Sequence, residues 1–386
     1  MTPAPGAPRR QDLRERDRWE WRWAPGAQAP FEQVERFLAG HGLPVLEVTS
    51  PPGAAVGSGS GAAGAALLIG GGWPVAAHGG PGSPCPAVPD VVVIVYDAAD
   101  SGPRPAQAPD RSTVAQWSPG WAPDRHRRAV EDVRSAIARG DVYQANVVGH
   151  RSGRLDGTPE GVAVALAAVP DAPYAGSIQG DGWAVHSASP ELFLEVAGGV
   201  ATTRPIKGTA VRRSDPVADD AAREHLCRSA KDRAEHVMIV DLERNDLGRV
   251  ARIGGVEVTD LYAVRPLAGL WHAESSVTAR LRDGVGLAEL LTATFPGGSV
   301  TGAPKLAALD RIAAVEPVGR GPSMGAMGWL GVDGHLVLGL TIRTVAVAEG
   351  TVHLWTGGGV TWSSSAPAEV AEAEAKAAPL VGALAP

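Results

Sequence analysis

The chain has 386 residues, of which 44% are hydrophobic and 20% charged, a balance typical of a globular protein with one large domain or two ordinary ones. Its net charge of −7 argues against nucleic acid as the main partner, because a phosphate-binding face needs concentrated Lys and Arg. No apolar run reaches the roughly 18 residues of a membrane span, and residues 1–20 lack the apolar centre of a signal peptide. With Cys85 and Cys227 as its only cysteines, the protein is expected in a reducing cytoplasm, without disulfides and without membrane contact.

The N-terminal part, residues 1–120, is rich in Gly, Pro and Ala and shows one clear element. Residues 90–97, DVVVIVYD, form a β-branched run between polar ends, which predicts a buried strand. No chemistry is evident in this part of the chain. An acidic protein that binds a small anion must gather cations, a metal ion or backbone N–H groups locally, and such a site is expected further along.

Regular elements follow one another closely from Pro123 onward. Residues 124–140 place an apolar stripe on one helical face and end at Gly140, a residue typical of the position after a helix. The remaining patterns predict, in chain order, a strand over 141–155, a short helix from Thr158-Pro159, strands near 184–186 and 192–196, helices over 219–250 and 287–294, strands over 336–347 and 352–355, and a final helix from after Ser365 to about Leu384. Short Asp-Gly and Glu-Gly turns between strands favour antiparallel pairing and therefore an α+β fold.

Two segments carry a candidate nucleophile and a candidate acid. In TTRPIKGTAVRR, Lys207 precedes Gly208, which suits either an exposed turn lysine or a partly desolvated nucleophile with a lowered pKa. In SASPELFLEV, Glu191 stands at the start of an apolar strand, where it is either a solvated edge residue or a general acid or base. Neither segment decides between its two interpretations alone.

Three further acids are candidates for a metal site. Glu235 lies on a predicted helix beside an apolar stripe, where a structural salt bridge is the alternative interpretation. On the last helix Glu369, Glu372 and Lys376 share one face, as a surface ion-pair ladder also would. Mg²⁺ prefers oxygen ligands and usually takes one or two carboxylates, so acids from two helices suit it.

Two glycine-rich loops are predicted, FPGGSVTGAPK over 295–305 and WTGGGV over 355–360. Each is either a plain turn or a set of backbone N–H groups that binds an anion. The first does not match a nucleotide-binding P-loop, because Lys305 follows Pro304 and no Ser or Thr comes next. Nucleotide binding is therefore disfavoured.

In order and spacing these segments resemble the chorismate-utilising enzymes. The matching segments are GDVYQANV, SASPELFL, TRPIKGT, KDRAEHVMIVDLERNDLGRV, FPGGSVTGAPK, GLTIRT, GGGV and the acidic last helix. The resemblance implies an α+β fold of large antiparallel sheets flanked by helices, with the active site between the halves. It also implies a chorismate-binding catalytic region over 121–386, with 1–120 as a divergent N-terminal part of the same fold.

The resemblance also assigns roles to particular residues. It implies magnesium on Glu235 and Glu372 with Glu369 assisting, and an acid/base pair formed by Glu191 and His272. The groups that it implies for binding the substrate carboxylates are Arg343, Lys376 and the backbone N–H groups of Gly357, Gly358 and Gly359. Ser299 takes the hydroxyl position of the FPGG loop.

Lys207 distinguishes between branches of this family. Aminodeoxychorismate synthases have PIKGT, and their lysine attacks chorismate at C2 before ammonia enters at C4, whereas anthranilate and isochorismate synthases usually have a small residue there. Since neither Cys85 nor Cys227 has the context of a glutaminase nucleophile, the expected partners are chorismate and a glutamine amidotransferase subunit that supplies ammonia. The alternatives are anthranilate synthase component I and a catalytically silent chorismate-binding protein.

Overall fold

The computed structural model describes residues 13–45, 62–98, 109–267 and 270–386. Within these ranges the strands are β1 (Leu13–Trp21), β2 (Ala62–Ile69), β3 (Val91–Ala98), β4 (Ser118–Pro119), β5 (Gln144–Arg154), β6 (Tyr174–Gly180), β7 (Trp183–Ser189), β8 (Leu192–Ala197), β9 (Val200–Arg204), β10 (Ile206–Val211), β11 (Ala251–Leu267), β12 (Leu270–Leu281), β13 (Gly302–Ala303), β14 (Ala326–Gly331), β15 (Leu336–Leu340), β16 (Thr344–Ala348) and β17 (Thr351–Val360). The helices are α1 (Phe31–Gly40), α2 (Gly72–Ala77), α3 (Pro123–Arg139), α4 (Pro159–Leu166), α5 (Pro216–Arg228), α6 (Ala230–Gly248), α7 (Leu287–Thr294), α8 (Lys305–Val315) and α9 (Ala366–Ala383).

The described strands form two antiparallel sheets. The larger has ten strands in the order β1-β3-β2-β14-β15-β8-β9-β12-β10, with β11 beside β12. The smaller has seven, in the order β13-β5-β17-β16-β7-β6, with β4 beside β5. The first three strands therefore lie in one sheet with strands from much later in the chain. The predicted α+β class of antiparallel sheets with flanking helices is confirmed.

Local capping signals set several helix ends as predicted. Pro123 occupies the first turn of α3, and Gly140 follows its last turn in the left-handed conformation, with φ 82°. At α4, the Thr158 side chain accepts a hydrogen bond from the Gly161 N–H, and Pro159 comes next. The predictions for these two helices are confirmed.

The single helix predicted over 219–250 is wrong, because α5 and α6 are separate helices. Ser229 divides them, with φ −63° and ψ 105°, an extended conformation that no helix can continue through. Its side chain accepts a hydrogen bond from the Asp232 N–H and so caps α6. A residue that favours capping over helix interior therefore sets this break.

The continuous strand predicted over 336–347 is also wrong. β15 belongs to the larger sheet and β16 to the smaller one, so the chain crosses between the sheets at residues 341–343. Arg343 lies in the crossover with φ 49°, a left-handed conformation that interrupts a strand. Residues on both sides of the crossover are buried, because each belongs to a sheet that covers it, and the hydrophobic pattern therefore does not mark the change of sheet.

Most buried apolar side chains belong to one core, which contains residues of both sheets and of helices α1, α6 and α7. This core includes the β2, β3, β8 and β14 interiors together with Trp355 of the smaller sheet. None of the helices in the described ranges combines the length and the apolar character that a membrane crossing requires.

A buried histidine pair, His150 on β5 and His353 on β17, should make the fold sensitive to acid. Burial lowers the pKa of each to about 4. An unfolded histidine titrates near 6.5, so between about pH 4 and pH 6.5 the unfolded chain binds more protons and the free energy of unfolding falls as the pH is lowered. Urea unfolding at several pH values should show a shallower pH slope for His353→Gln than for the parent protein. Equal slopes would contradict the prediction.

Candidate active site

Lys207 lies in a bulge of strand β10. The pairing of β10 with β12 is regular at Thr209 but shifts between Ile206 and Thr209, and Gly208 adopts φ 83°, which glycine tolerates best. Lys207 is half-buried, and its Nζ donates a hydrogen bond to the Ser299 carbonyl oxygen at 3.2 Å. Burial lowers the pKa of the ammonium group, helped by the nearby Lys376, while neighbouring acids oppose the shift. A smaller free-energy cost for losing its proton is what a lysine nucleophile requires.

Glu191 lies beside this lysine, between the ends of β7 and β8. It is 6% exposed, and its Oε1 accepts a hydrogen bond from the Ile206 N–H at 3.3 Å. Burial raises the pKa of Glu191, while a hydrogen bond from the Ser299 side chain and the charge of Lys207 work in the opposite direction. A carboxyl group with a raised pKa next to an amine with a lowered one can hold or release a proton near neutral pH.

The FPGGS segment is a tight turn that brings Ser299 between these two groups. After α7, residues Gly298–Val300 form a short 3-10 helix. The Ser299 carbonyl oxygen accepts hydrogen bonds from Lys207 and, at 3.4 Å, from the Asn146 side-chain amide. The turn predicted here is confirmed, and it orients Lys207 through its backbone as well as Glu191 through the Ser299 hydroxyl.

The glycine run at 357–359 was predicted as a loop, and this prediction is wrong, because the run is part of strand β17. Its residues pair with Val148, Val147 and Asn146 of β5. Val148 N–H donates to Glu316 and Asn146 N–H to Thr301, so neither donates to β17. Along an antiparallel strand the N–H groups point alternately to the two neighbouring sides, so those of Gly357 and Gly359 point away from β5. On that side the pairing of β17 with β16 covers Thr351 to Leu354 and stops before these glycines. Gly358 N–H points toward β5.

Gly359 is glycine because the site is crowded there. A Cβ atom at this position would overlap the Gln144 side-chain amide and lie 3.2 Å from Lys207 Nζ. Gln144 is 1% exposed, and its Oε1 has no hydrogen-bond partner among the described residues; the same is true of Asn146 Oδ1. Two unsatisfied acceptors on one face of β5 therefore lie close to the lysine.

The three acids predicted to bind magnesium approach the same edge of β17. A Cβ atom on Gly358 would lie 3.1 Å from Glu369 Oε2 and 3.4 Å from Glu372 Oε1. Glu235 lies at the end of β17, where the Thr361 hydroxyl donates to its Oε1 at 2.6 Å. Both Glu235 and Glu372 act electrostatically on Lys207.

Lys376 partly neutralises this edge. Its Nζ lies 2.6 Å from Glu372 Oε1 and donates to the Gly357 carbonyl oxygen at 3.0 Å. Within the described ranges no three His, Cys, Asp or Glu side chains are grouped closely enough to hold a metal ion alone. The donor set suits Mg²⁺ that is bound by one or two carboxylates and completed by other oxygen ligands.

His272 and Arg343 form the far side of the site. His272, on β12, is 4% exposed, and neither ring nitrogen has a hydrogen-bond partner among the described residues. Burial, together with the charge of Arg343, lowers its pKa to about 4. Arg343 also interacts with Glu191. His272 is therefore a neutral imidazole near pH 7, suited to hydrogen bonding with a substrate.

The structure thus brings the predicted residues together between the two sheets, although it adds three that the sequence patterns did not single out. Gln144 and Asn146 are amides at alternate positions of an apolar strand, a detectable signal for polar groups on one buried face. Glu243 lies two turns after Glu235 on α6 and is 3% exposed. A groove of about 690 Å³ near Ser152 and Thr351 contains none of the predicted site residues.

Comparison with known protein families assigns the chain to one class, the chorismate binding enzymes. A sequence profile of the chorismate binding enzymes matches residues 89–382, and the chain belongs to that family. Among curated relatives, aminodeoxychorismate synthase component 1 from Salmonella typhimurium is 37% identical over 73% of this chain, and that from Bacillus subtilis is 36% identical over 69%. Anthranilate synthase component 1 1 from Haloarcula marismortui is 38% identical over 74%.

The chain spans less than two thirds of the length of these relatives, namely 63%, 56% and 59%. Among solved structures, anthranilate synthase component I from Streptococcus pneumoniae superposes with a TM-score of 0.79 at 24% identity, over 96% of this chain and 91% of that one. A putative isochorismate synthase from Bacillus anthracis gives 0.68 at 22% identity, over 92% and 88%. These structures share the fold.

Proposed function

We propose that the protein is an aminodeoxychorismate synthase component I, which converts chorismate and ammonia into 4-amino-4-deoxychorismate, a precursor of p-aminobenzoate and folate. The observation that carries the proposal is the amine of Lys207, half-buried and adjacent to Glu191 in the candidate site. The names of the first curated relatives agree with this reaction. We infer a cytoplasmic enzyme that works with a separate ammonia source.

In the proposed reaction the neutral Lys207 amine forms a bond to C2 of chorismate. Both ring double bonds shift, the C4–oxygen bond breaks, and the departing hydroxyl group takes up a proton from Glu191 and leaves as water. Ammonia then attacks C4, both double bonds shift back, and the C2–nitrogen bond to Lys207 breaks. The surplus proton of the added ammonia returns to Glu191, so that chorismate and ammonia give aminodeoxychorismate and water.

Other residues of the site are suited to hold the substrate. Arg343 and Lys376 supply cations for its two carboxylates, and the N–H groups of Gly357 and Gly359 add donors. Holding the ring still makes the attack by Lys207 effectively intramolecular. His272, neutral at pH 7, is suited to form a hydrogen bond with a hydroxyl group of the ring.

The family generally uses Mg²⁺, and the acids around β17 fit it. Glu235 and Glu372 would hold the ion, with Glu369 assisting. When bound, Mg²⁺ supplies positive charge that binds and orients a carboxylate of the substrate. The local cations then explain how a protein of net charge −7 binds a dianion.

The decisive experiment is incubation of the purified protein with chorismate, Mg²⁺ and ammonium, with the product identified by chromatography and mass. Aminodeoxychorismate supports the proposal. Anthranilate would favour the alternative suggested by the Haloarcula relative, and unchanged chorismate at protein concentrations that bind it would indicate a silent binding protein.

Removal of divalent metal is expected to abolish turnover. EDTA should stop product formation, and added Mg²⁺ should restore it, because the substrate carboxylate otherwise meets Glu235 and Glu372 without an intervening cation. Glu372→Gln should raise the Mg²⁺ concentration needed for half-maximal rate, whereas Glu374→Gln, which changes an exposed acid of the same helix, should not. Full activity in metal-free buffer would refute the metal assignment.

Glutamine is not expected to serve as nitrogen donor for this chain alone. Cys85 is buried, with a pKa raised by burial to about 11, and is thus a poor nucleophile. Ammonium at alkaline pH should support turnover, and a glutamine amidotransferase subunit should replace it. Glutamine-dependent turnover by the isolated chain would contradict the prediction.

A further inference from the structure

Glu243 is a buried acid behind the candidate site that the proposed reaction does not use. It lies on α6 and is 3% exposed. Its Oε1 accepts a hydrogen bond from the Gly298 N–H at 3.0 Å. Burying a carboxyl group this deeply costs free energy of folding unless the group is hydrogen-bonded. The hydrogen bond between Glu243 and Gly298 is therefore expected to fix the local structure.

A single turn of backbone connects Glu243 to the reacting groups. Gly298 directly precedes Ser299, whose carbonyl oxygen accepts the hydrogen bond from Lys207 Nζ at 3.2 Å. The Ser299 side chain is hydrogen-bonded to Glu191. Displacing the Gly298 N–H would therefore move Ser299 and disturb its hydrogen bonds with both Lys207 and Glu191.

The charged groups that face Glu243 come from three elements. They are Asp246 on α6, Lys305 at the start of α8, and Glu191 before β8. Burial, together with the charges of Asp246 and Glu191, raises the pKa of Glu243 to about 8, against the opposing effects of Lys305 and the Gly298 N–H. Glu243 is thus neutral below about pH 8 and adds a negative charge to this region above it.

We propose that Glu243 is a positioning residue, which holds the Gly298–Ser299 turn so that Lys207 and Glu191 face the substrate. The part that concerns catalysis rests on the proposed function. The part that concerns the environment of Lys207 does not, because it follows from the hydrogen bonds from Glu243 through Gly298 and Ser299 to Lys207.

The test compares Glu243→Gln and Glu243→Ala with a control, Asp241→Asn, which changes an exposed acid of the same helix. The first readout is the pH dependence of Lys207 labelling by an amine-reactive reagent, measured by peptide mass spectrometry without chorismate. Gln can still accept the Gly298 hydrogen bond, so the Lys207 labelling curve of Glu243→Gln should match that of the parent protein. Glu243→Ala removes the acceptor that holds Gly298. Its Lys207 labelling curve should shift to lower pH, because the ammonium then loses its fixed contact with the Ser299 carbonyl oxygen.

The second readout is turnover with chorismate and ammonium. Glu243→Ala should lower kcat roughly five- to hundredfold with a smaller change in KM, the range expected when a buried hydrogen bond is lost. Glu243→Gln should restore kcat to within about threefold below pH 8, since the hydrogen bond is kept. Asp241→Asn should match the parent protein in both readouts.

Unchanged kcat and an unchanged labelling curve in Glu243→Ala would overturn the proposal. If circular dichroism shows that this variant does not fold, Glu243→Asp decides, because its shorter side chain draws the acceptor away from the Gly298 N–H. A kcat and a labelling curve of Glu243→Asp equal to those of the parent would overturn the proposal. A parent protein that labels as expected but forms no aminodeoxychorismate would reject the proposed function and leave the role of Glu243 toward Lys207 standing.

Discussion

Lys207→Ala is expected to lower the rate of aminodeoxychorismate formation by more than about a hundredfold, a loss typical of removing a catalytic acid, base or nucleophile. The lysine is proposed to form the bond to C2, and the nearby Lys376 is bound to Glu372. The measurement is kcat with ammonium as nitrogen donor. Intact mass spectrometry with chorismate and no ammonia should show an adduct on the peptide that bears Lys207.

Loss of folding should not explain the loss of activity. Because burial lowers the pKa of Lys207, the folded state disfavours its charge, and the alanine variant should unfold at the same temperature or higher. Arg244→Ala, which removes an exposed cation of α6, serves as a control and should keep full activity. An alanine variant that makes aminodeoxychorismate at the parent rate would refute the nucleophile assignment, and a shift to anthranilate would show ammonia entering at C2.

Arg320→Leu is expected to destabilise the fold by about 3–5 kcal/mol, the range for breaking one side of a buried ion pair. Arg320 and Glu316 are each 1% exposed in their side chains, and Arg320 donates to both Glu316 oxygens at 2.9 and 2.7 Å. It also donates to the carbonyl oxygens of Val300 and Asn146, at 2.7 and 3.0 Å. Its loss leaves the buried Glu316 carboxylate without its cation, with the Val148 N–H as its remaining donor. Two carbonyl groups beside the turn that carries Ser299 also lose their hydrogen bonds from Arg320.

Urea unfolding followed by tryptophan fluorescence measures this effect. Arg244→Ala removes an exposed ion pair and should change the free energy of unfolding by less than about 1 kcal/mol. The double variant Glu316→Leu/Arg320→Leu should be less destabilised than the sum of its single variants, because the buried charge left by either one is absent. Strict additivity would show that the pair contributes no coupling.

Local sequence signals set much of the secondary structure. The apolar stripe and Gly140 place α3, and Thr158 followed by Pro159 places the start of α4. These features act within a few residues, so the sequence reports them directly. The antiparallel character of the sheets follows from the short turns between strands, and the order of the motifs indicates the chorismate binding family, which the comparison with known families confirms.

Only the tertiary structure decided where the chain passes from one sheet to the other and which strands pair. The residues from 336 to 347 read as one strand, but the chain passes from one sheet to the other at Arg343. The glycines from 357 to 359 read as a loop, but they form a strand because β5 pairs with them along their length. Hydrophobic periodicity shows which residues are buried and not which neighbour buries them.

The chemistry of the site also depends on distant contacts. The sequence identified Lys207, Glu191 and the acids as candidates, each with an ordinary surface role as the alternative. Only the fold places Lys207 beside Ser299, which is 92 residues away along the chain, and buries Glu191 next to both. The pKa of a side chain is set by burial and by charges brought close in space, and sequence spacing contains neither. The sequence by itself therefore determined which groups are available, and the packing of the two sheets decided which of them can act together.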